Sequence, residues 1–366
     1  MFGNVYQGKK ILITGHTGFK GTWLTFWLLQ LGAKVVGVSN KIPTKPSMFE
    51  VLGLKKKIKH LTADLRNLND LTKVISREKP DYIFHLAAQA IVSNSFKDPI
   101  NTISSNVMGT ANLLESLRIL NNRCTVILIT SDKVYDNIEQ IWGYKENDLI
   151  GGKDIYSGSK GATELIIKSY YHSFFKLNSS NLRFAVARAG NVIGGGDWAK
   201  DRVVVDAISS WSQDKKVEIR NPNSTRPWQH VLEPLSGYLN LGMKLNKNKI
   251  LNGECFNFGP DADQNKSVKE LLTDLSISWS SSKKNKKIKV RKNKSFYEAK
   301  LLKLNCEKSY ELLNWHSSLE YKDTINFISE WYMNFYDNKE DMNKITYNQI
   351  IDYCKIAKSK FLKWTE

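Results

Sequence analysis

Short apolar runs alternate with helical patterns through the first half of the chain. The runs Lys10–Thr14, Val35–Val38, Ile58–Thr62, Tyr82–His85, Cys124–Thr130 and Leu182–Arg188 are candidate strands. Helical spacing falls between them, near Leu24–Leu31, Leu68–Ser76, Ile100–Leu120 and Ser159–Leu177. Strand–helix alternation of this kind predicts an α/β fold with a Rossmann-type, doubly wound parallel sheet. Right-handed crossovers gather the C-terminal strand ends on one edge, where a ligand is expected.

After Arg188 the alternation stops. Asn191 to Trp198 is glycine-rich, and Arg220 to Glu233 is rich in Pro, Arg and Trp. Helical patterns follow near Pro234–Leu245, Ser267–Leu275, Glu307–Leu313 and Tyr321–Tyr336, with a polar, basic, linker-like stretch at Ser281–Lys294. The expected organisation is a nucleotide-binding domain over residues 1–189 and a smaller, mostly helical substrate lobe over 190–366. Some segments of that lobe, such as 229–257, are expected to return to the first domain.

Composition narrows the class. Of 366 residues, 41% are hydrophobic, which supports a sizeable core. No run of about 18 apolar residues predicts a membrane span, and Met1–Lys10 lacks the apolar centre of a signal peptide. Cys124, Cys255, Cys306 and Cys354 are far apart and form no CxxC pair, which argues against a zinc site and for a reduced, cytoplasmic setting. The net charge of +18 raises nucleic-acid binding. However, the densest basic runs, Lys55–Lys59 and Lys283–Lys287, carry no interleaved aromatics and read as solvated surface.

Candidate chemistry lies at the predicted strand ends. Gly15-His16-Thr17-Gly18-Phe19-Lys20-Gly21 follows the first apolar run and opens a helix. Glycines permit the tight turn and let backbone amides approach a pyrophosphate, and the helix N-terminus adds partial positive charge. An acidic residue often ends the second strand and holds the adenosine ribose; here Ser39-Asn40-Lys41 stands in its place. Asp64 is open to two readings, an adenine contact or a helix cap. Tyr156 and Lys160 are four apart on one predicted helix face, where an ammonium favours the phenolate. Tyr6 and Lys10 share the spacing, but Tyr6 lies before the first strand and on no plausible helix. Thr130-Ser131-Asp132-Lys133 ends the fifth strand and offers a hydroxyl, a carboxylate and an amine.

With His85-Leu86-Ala87-Ala88-Gln89, Ala187 to Trp198 and Thr225 to Tyr238, these stretches resemble the extended short-chain dehydrogenase/reductases of the NAD-dependent epimerase/dehydratase family. The resemblance runs from about Lys9 to Tyr353 and is nearest the branch that acts on CDP-linked glucose. It implies bound NAD and conversion of CDP-glucose to its 4-keto-6-deoxy form with loss of water. Gly15, Thr17, Gly18, Phe19, Lys20, Gly21, Ser39, Asp64, Leu65, Leu86, Ala87, Ala88, Tyr156 and Lys160 would hold the cofactor. Tyr156 would take the 4-hydroxyl proton, Lys160 tune it, Ser131 bind the 4-oxygen and Asp132 act as acid. Lys133 would act as C5 base or stabilise the enolate. Gln89, Asn191, Arg202, Arg220 and Arg226 are expected on the nucleotide sugar, with Arg188 a further phosphate candidate. Trp198, Trp228 and His230 are open to pocket or core roles.

One departure is Ile91–Phe96, which lacks the arginine and tyrosine usual after Ala-Ala-Gln. Rival readings are a dehydratase or epimerase for another nucleotide sugar and an NADP-dependent reductase. A homo-oligomer, dimer or tetramer, is implied through the helices near Ile100–Leu120 and Ser159–Leu177, although core burial explains their apolar residues equally well. No nucleic-acid or membrane partner is expected.

Overall fold

The computed structural model describes residues 1–176, 181–219, 221–261, 264–279, 288–290 and 301–366. Arg220 lies outside the described residues, as do Leu177 and most of the linker-like stretch 281–294.

The centre is an all-parallel sheet of seven strands: β1 (Lys10–Thr14), β2 (Lys34–Ser39), β3 (Lys59–Thr62), β4 (Tyr82–His85), β5 (Cys124–Ile129), β6 (Leu182–Ala189) and β7 (Cys255–Phe258). Their order is β7-β6-β5-β4-β1-β2-β3. The winding reverses between β1 and β4, which opens a crevice beyond their C-terminal ends. Thr14 is in register with both Val38 and His85, so the loops after β1, β2 and β4 leave the sheet side by side.

The sheet is covered on both faces, which is why its inner strands read as largely apolar runs. Alternate residues serve two cores. Ile11, Ile13 and Phe84 join one core with Trp23 and Trp27 of the helix Phe19–Gln30 and Leu235 and Leu239 of Leu232–Lys247. Leu12, Ile83 and Val126 join the other, against Leu71, Leu113 and Ile167. The first core also gathers the C-terminal elements. Phe2 stacks on Trp364 at 5.0 Å, and Trp364 stacks on Tyr353 of the helix Met342–Ser359 at 5.7 Å.

The smaller lobe is knitted by short ladders: Val192–Ile193 with Gln229–His230, Thr225–Pro227 with Asn265–Ser267, and Val217–Ile219 with Ile288–Val290. Its glycines serve packing. A Cβ on Gly195 would lie 2.1 Å from the ring of buried Trp331.

Several elements differ from expectation. The helix expected over Ile100–Leu120 is three pieces: Pro99–Ile103, a π-helical turn at Ser104–Met108, and Gly109–Leu117. Asp98 starts the first by accepting from the amide of Asn101 at 3.0 Å, with Pro99 in the first turn. The helix expected from Ser159 begins at Ile155, because Asp154 caps it through the amide of Ser157 at 3.0 Å. The helices Val203–Ser212 and Met342–Ser359, and β7, were not legible. No helix among the described residues is long and apolar enough to cross a membrane.

Candidate active site

A cleft of about 1700 Å³ runs over the C-terminal strand ends. That is more than one drug-sized ligand requires and suits a dinucleotide with a second ligand beside it. The loop Gly15–Gly21 forms its floor. Gly15 has φ +77°, and a Cβ there would lie 2.7 Å from the amide nitrogen of Ala87, so only glycine permits this approach of β1 to β4. A Cβ on Gly21 would lie 2.1 Å from the carbonyl oxygen of Gly15. Gly18 is the N-cap of the first helix, and no side chain caps it. The first turn therefore presents its amides to an anion in the cleft. These residues fit the pyrophosphate of a dinucleotide.

Thr17, Phe19, Lys20, Leu65, Leu86, Ala87 and Ala88 line the same cleft. Ser39 lines it too, but its hydroxyl is engaged with Nδ1 of buried His16 at 3.0 Å. Asp64 is no helix cap: Asn67 caps Leu68–Glu78, accepting from the amide of Asp70 at 3.2 Å. Asp64 instead binds Arg66 at 2.5 Å, a contact that holds its carboxyl below the usual carboxylate range.

The chemical centre sits where β5 ends. Ser131, Asp132 and Lys133 form the turn after that strand. Ser131 donates to Oδ1 of Asp132 at 2.9 Å and accepts from the amide of Lys133 at 3.2 Å. Tyr156 and Lys160, on consecutive turns of Ile155–Tyr170, are buried and line the cleft together with Ser131 and Asp132. Burial raises the Tyr156 phenol to about 12, aided by Asp132 and opposed by Arg202 and Ser131. Burial lowers Lys160 to about 8, with Glu164 acting the other way. Lys20 falls to about 7, from desolvation first and then from Arg202, against the pull of Asp132.

The expected substrate residues divide. Asn191, Arg202 and Arg226 line the cleft. The Asn191 amide nitrogen is buried with no hydrogen-bond partner among the described residues. Arg202 is held by Asp197 at 2.7 Å, and Arg226 donates to the carbonyl of Thr225 at 2.8 Å. Gln89 lines the cleft, but its amide is committed to the loop. Its oxygen accepts from the Ile91 amide at 2.7 Å, and its nitrogen donates to Thr102 Oγ1 at 3.0 Å. Arg188 is corrected outright: it is fully buried in β6 and forked onto Glu164, and it donates to the Tyr135 hydroxyl at 2.8 Å. It is a structural ion, out of reach of a phosphate. Trp198 and Trp228 line the cleft, while His230 lies in the core between Trp23 and Phe327.

Two supporting residues escaped the sequence reading. Glu164 accepts from Thr130 Oγ1 at 2.6 Å and from Arg188, fastening the end of β5 to the helix that carries Tyr156. The signal was present, since Tyr156, Lys160 and Glu164 repeat at four-residue spacing on one helix face. Asn106, in the π-helical turn, accepts from the amide of Gln89 at 2.8 Å and donates to Ser159 Oγ at 2.9 Å. No sequence pattern marks that turn. Among the described residues, no cluster of His, Cys, Asp or Glu could hold a metal ion.

The reversed-order parallel sheet, the glycine cradle and the Ser131–Tyr156–Lys160 cluster define a Rossmann-fold protein of the short-chain dehydrogenase/reductase class. The chain belongs to the GDP-mannose 4,6 dehydratase family, whose model matches residues 12–327. It is 41% identical to CDP-glucose 4,6-dehydratase of Salmonella typhimurium over 353 residues, 96% of this chain and 97% of that one. The fold is similar to that of UDP-glucuronic acid 4-epimerase from Bacillus cereus in complex with UDP-glucuronic acid and NAD. The TM-score is 0.76 at 24% identity, covering 89% of this chain and all of that one (100%). It is likewise similar to dTDP-glucose 4,6-dehydratase from Bacillus anthracis in complex with NAD. There the TM-score is 0.73 at 20% identity, covering 91% and 100%.

Proposed function

We propose that this protein dehydrates CDP-glucose to CDP-4-dehydro-6-deoxyglucose with NAD as a resident cofactor. The observation that carries the reading is that buried Tyr156 and Lys160 line one cleft with Ser131 and buried Asp132 at the end of β5. The 41% identity to a CDP-glucose 4,6-dehydratase across nearly the whole of both chains supports this substrate. NAD, when bound, supplies a hydride acceptor at C4 whose hydride returns to C6.

Gly15–Gly21 and the first helix turn hold the pyrophosphate, and Lys160 holds the ribose and the charge beside Tyr156. Tyr156 takes the proton of the sugar 4-hydroxyl, and Ser131 keeps the 4-oxygen in hydrogen-bond contact. The 4-ketone acidifies the C5–H bond. Lys133, entering the step as the neutral amine, takes the C5 proton, the electron pair forms the C5–C6 double bond, and the C6–O bond breaks. Asp132, entering this step as the protonated acid, gives its proton to the departing oxygen, which leaves as water. Lys133 returns a proton to C5 when C6 is reduced. Asn191, Arg202 and Arg226 bind the nucleoside diphosphate, for which arginine forks are suited.

The smaller lobe serves as the substrate lobe, and β7 ties it back to the sheet. Ile100, Ile103, Met108 and Leu165 are exposed apolar residues on the helices flanking the site. They are the face through which we expect a homo-oligomer to form, in the cytoplasm.

The deciding experiment incubates purified protein with CDP-glucose and follows the nucleotide sugar by mass spectrometry. Loss of one water is expected, with no added cofactor consumed in proportion. Turnover of dTDP-, UDP- or GDP-glucose with CDP-glucose untouched would overturn the substrate assignment.

A further inference from the structure

We propose that the adenosine end of the cleft accepts a 2′-phosphate, so that the protein binds NADP with an affinity close to that for NAD; this rests on the dinucleotide reading above. In a sheet of this order, the residue just past β2 stands beside the adenosine ribose. A carboxylate there binds the 2′-hydroxyl and repels a 2′-phosphate. This chain has none at that place. Ser39 ends the strand with its hydroxyl bound to His16, and Asn40 and Lys41 follow, both exposed and both lining the cleft.

Lys41 is pinned by its backbone. Thr17 Oγ1, from the glycine loop, donates to its carbonyl oxygen at 2.7 Å, which sets the residue against the pyrophosphate cradle. Its ammonium has no ion-pair partner among the described residues. Lys45 and Arg66 line the same end. The carboxylates there are already engaged: Asp64 with Arg66 at 2.5 Å, and Asp98 with the amide of Asn101 at 3.0 Å as a helix cap. A phosphate dianion entering here meets an unpaired ammonium, with Asp64 paired to Arg66 and Asp98 turned onto a helix amide. A lysine ammonium suits it as a mobile point charge with three donors.

The test is titration calorimetry of dinucleotide-free protein with NAD and with NADP, on wild type, Lys41→Glu and Lys41→Arg. The expected wild-type ratio of dissociation constants, NADP over NAD, is below about ten, equivalent to about one charge-assisted hydrogen bond. Lys41→Glu raises that ratio at least about tenfold, and Lys41→Arg leaves it near wild type. A wild-type ratio of about ten or more, or a ratio unmoved by Lys41→Glu, overturns the inference while leaving the NAD reading intact. Failure of both dinucleotides to bind overturns the NAD reading and this inference with it.

Discussion

Nε2 of His16 lies 2.7 Å from Nδ1 of His60, while Nδ1 of His16 meets the Ser39 hydroxyl at 3.0 Å. The amide of Thr17 in turn donates to Ser39 Oγ at 3.4 Å. One neutral tautomer satisfies the whole row: Ser39 donates to His16, and His16 donates to His60. A proton added to His16 would place a charge in this buried row, beside the ring of His60. Burial, reinforced by His60, accordingly lowers His16 to about 4.

The depressed value makes a stability prediction. Below its unfolded pKa of about 6.5, the unfolded chain binds a proton at His16 that the folded protein refuses. Stability present above pH 6.5 is therefore lost as pH falls toward 4, by about 3 kcal/mol from this residue. His85 and His230, each lowered to about 3 by burial, add to the same acid slope. Urea midpoints measured from pH 7.5 to 4 should fall steeply in wild type and less steeply in His16→Asn. Equal slopes would remove His16 from the account.

Tyr156 yields a kinetic prediction. Its phenol, raised to about 12, stays protonated through neutral pH in the dinucleotide-free protein. Removing that hydroxyl deletes the base without altering the shape of the cleft. Tyr156→Phe should lower kcat by about 10²- to 10⁴-fold and leave the dissociation constant for CDP-glucose within a few-fold. Single-turnover assays beside equilibrium binding separate the two effects. A loss smaller than about tenfold would sink the assigned role.

Arg188 and Glu164 form a buried pair, and each stranded alone is an uncompensated charge. Arg188→Met or Glu164→Gln should each cost about 3–5 kcal/mol in urea unfolding, whereas Arg188→Met with Glu164→Met should recover much of the loss. CDP affinity of the double variant should match wild type. A selective loss of CDP binding without loss of stability would return Arg188 to the phosphate site.

Gly195 predicts a packing defect. Trp331 is fully buried and its ring lies where a Cβ would go, so it cannot yield as a surface side chain would. Gly195→Ala should destabilise by about 1–3 kcal/mol, read as a lower thermal midpoint. An unchanged midpoint would show that the lobe repacks freely there.

Six of the seven sheet strands were legible to within one residue at their ends, the inner ones because two-sided burial leaves them largely apolar. The glycine loop and Tyr156/Lys160 were legible because their chemistry is local. Arg188 was misread because its partner, Glu164, lies 24 positions away in sequence. The two- and three-residue ladders of the smaller lobe are too short to show a period. Met342–Ser359 turns a mixed polar surface outward and lacked contrast. Asp64 and Asn67 are both good caps by type, and only the fold chose between them.

The stacking of Phe2 on Trp364 joins opposite ends of the chain over the helix that bears the glycine loop. During synthesis, the outer layer of that helix cannot close until the residues around Trp364 have left the ribosome. The cradle at Gly15–Gly21 is therefore made before the residues that brace its helix from outside. A chain cut short before Trp364 would carry a nearly assembled sheet with Phe2 and Trp27 uncovered, apolar surface that chaperones and proteases can read as unfinished.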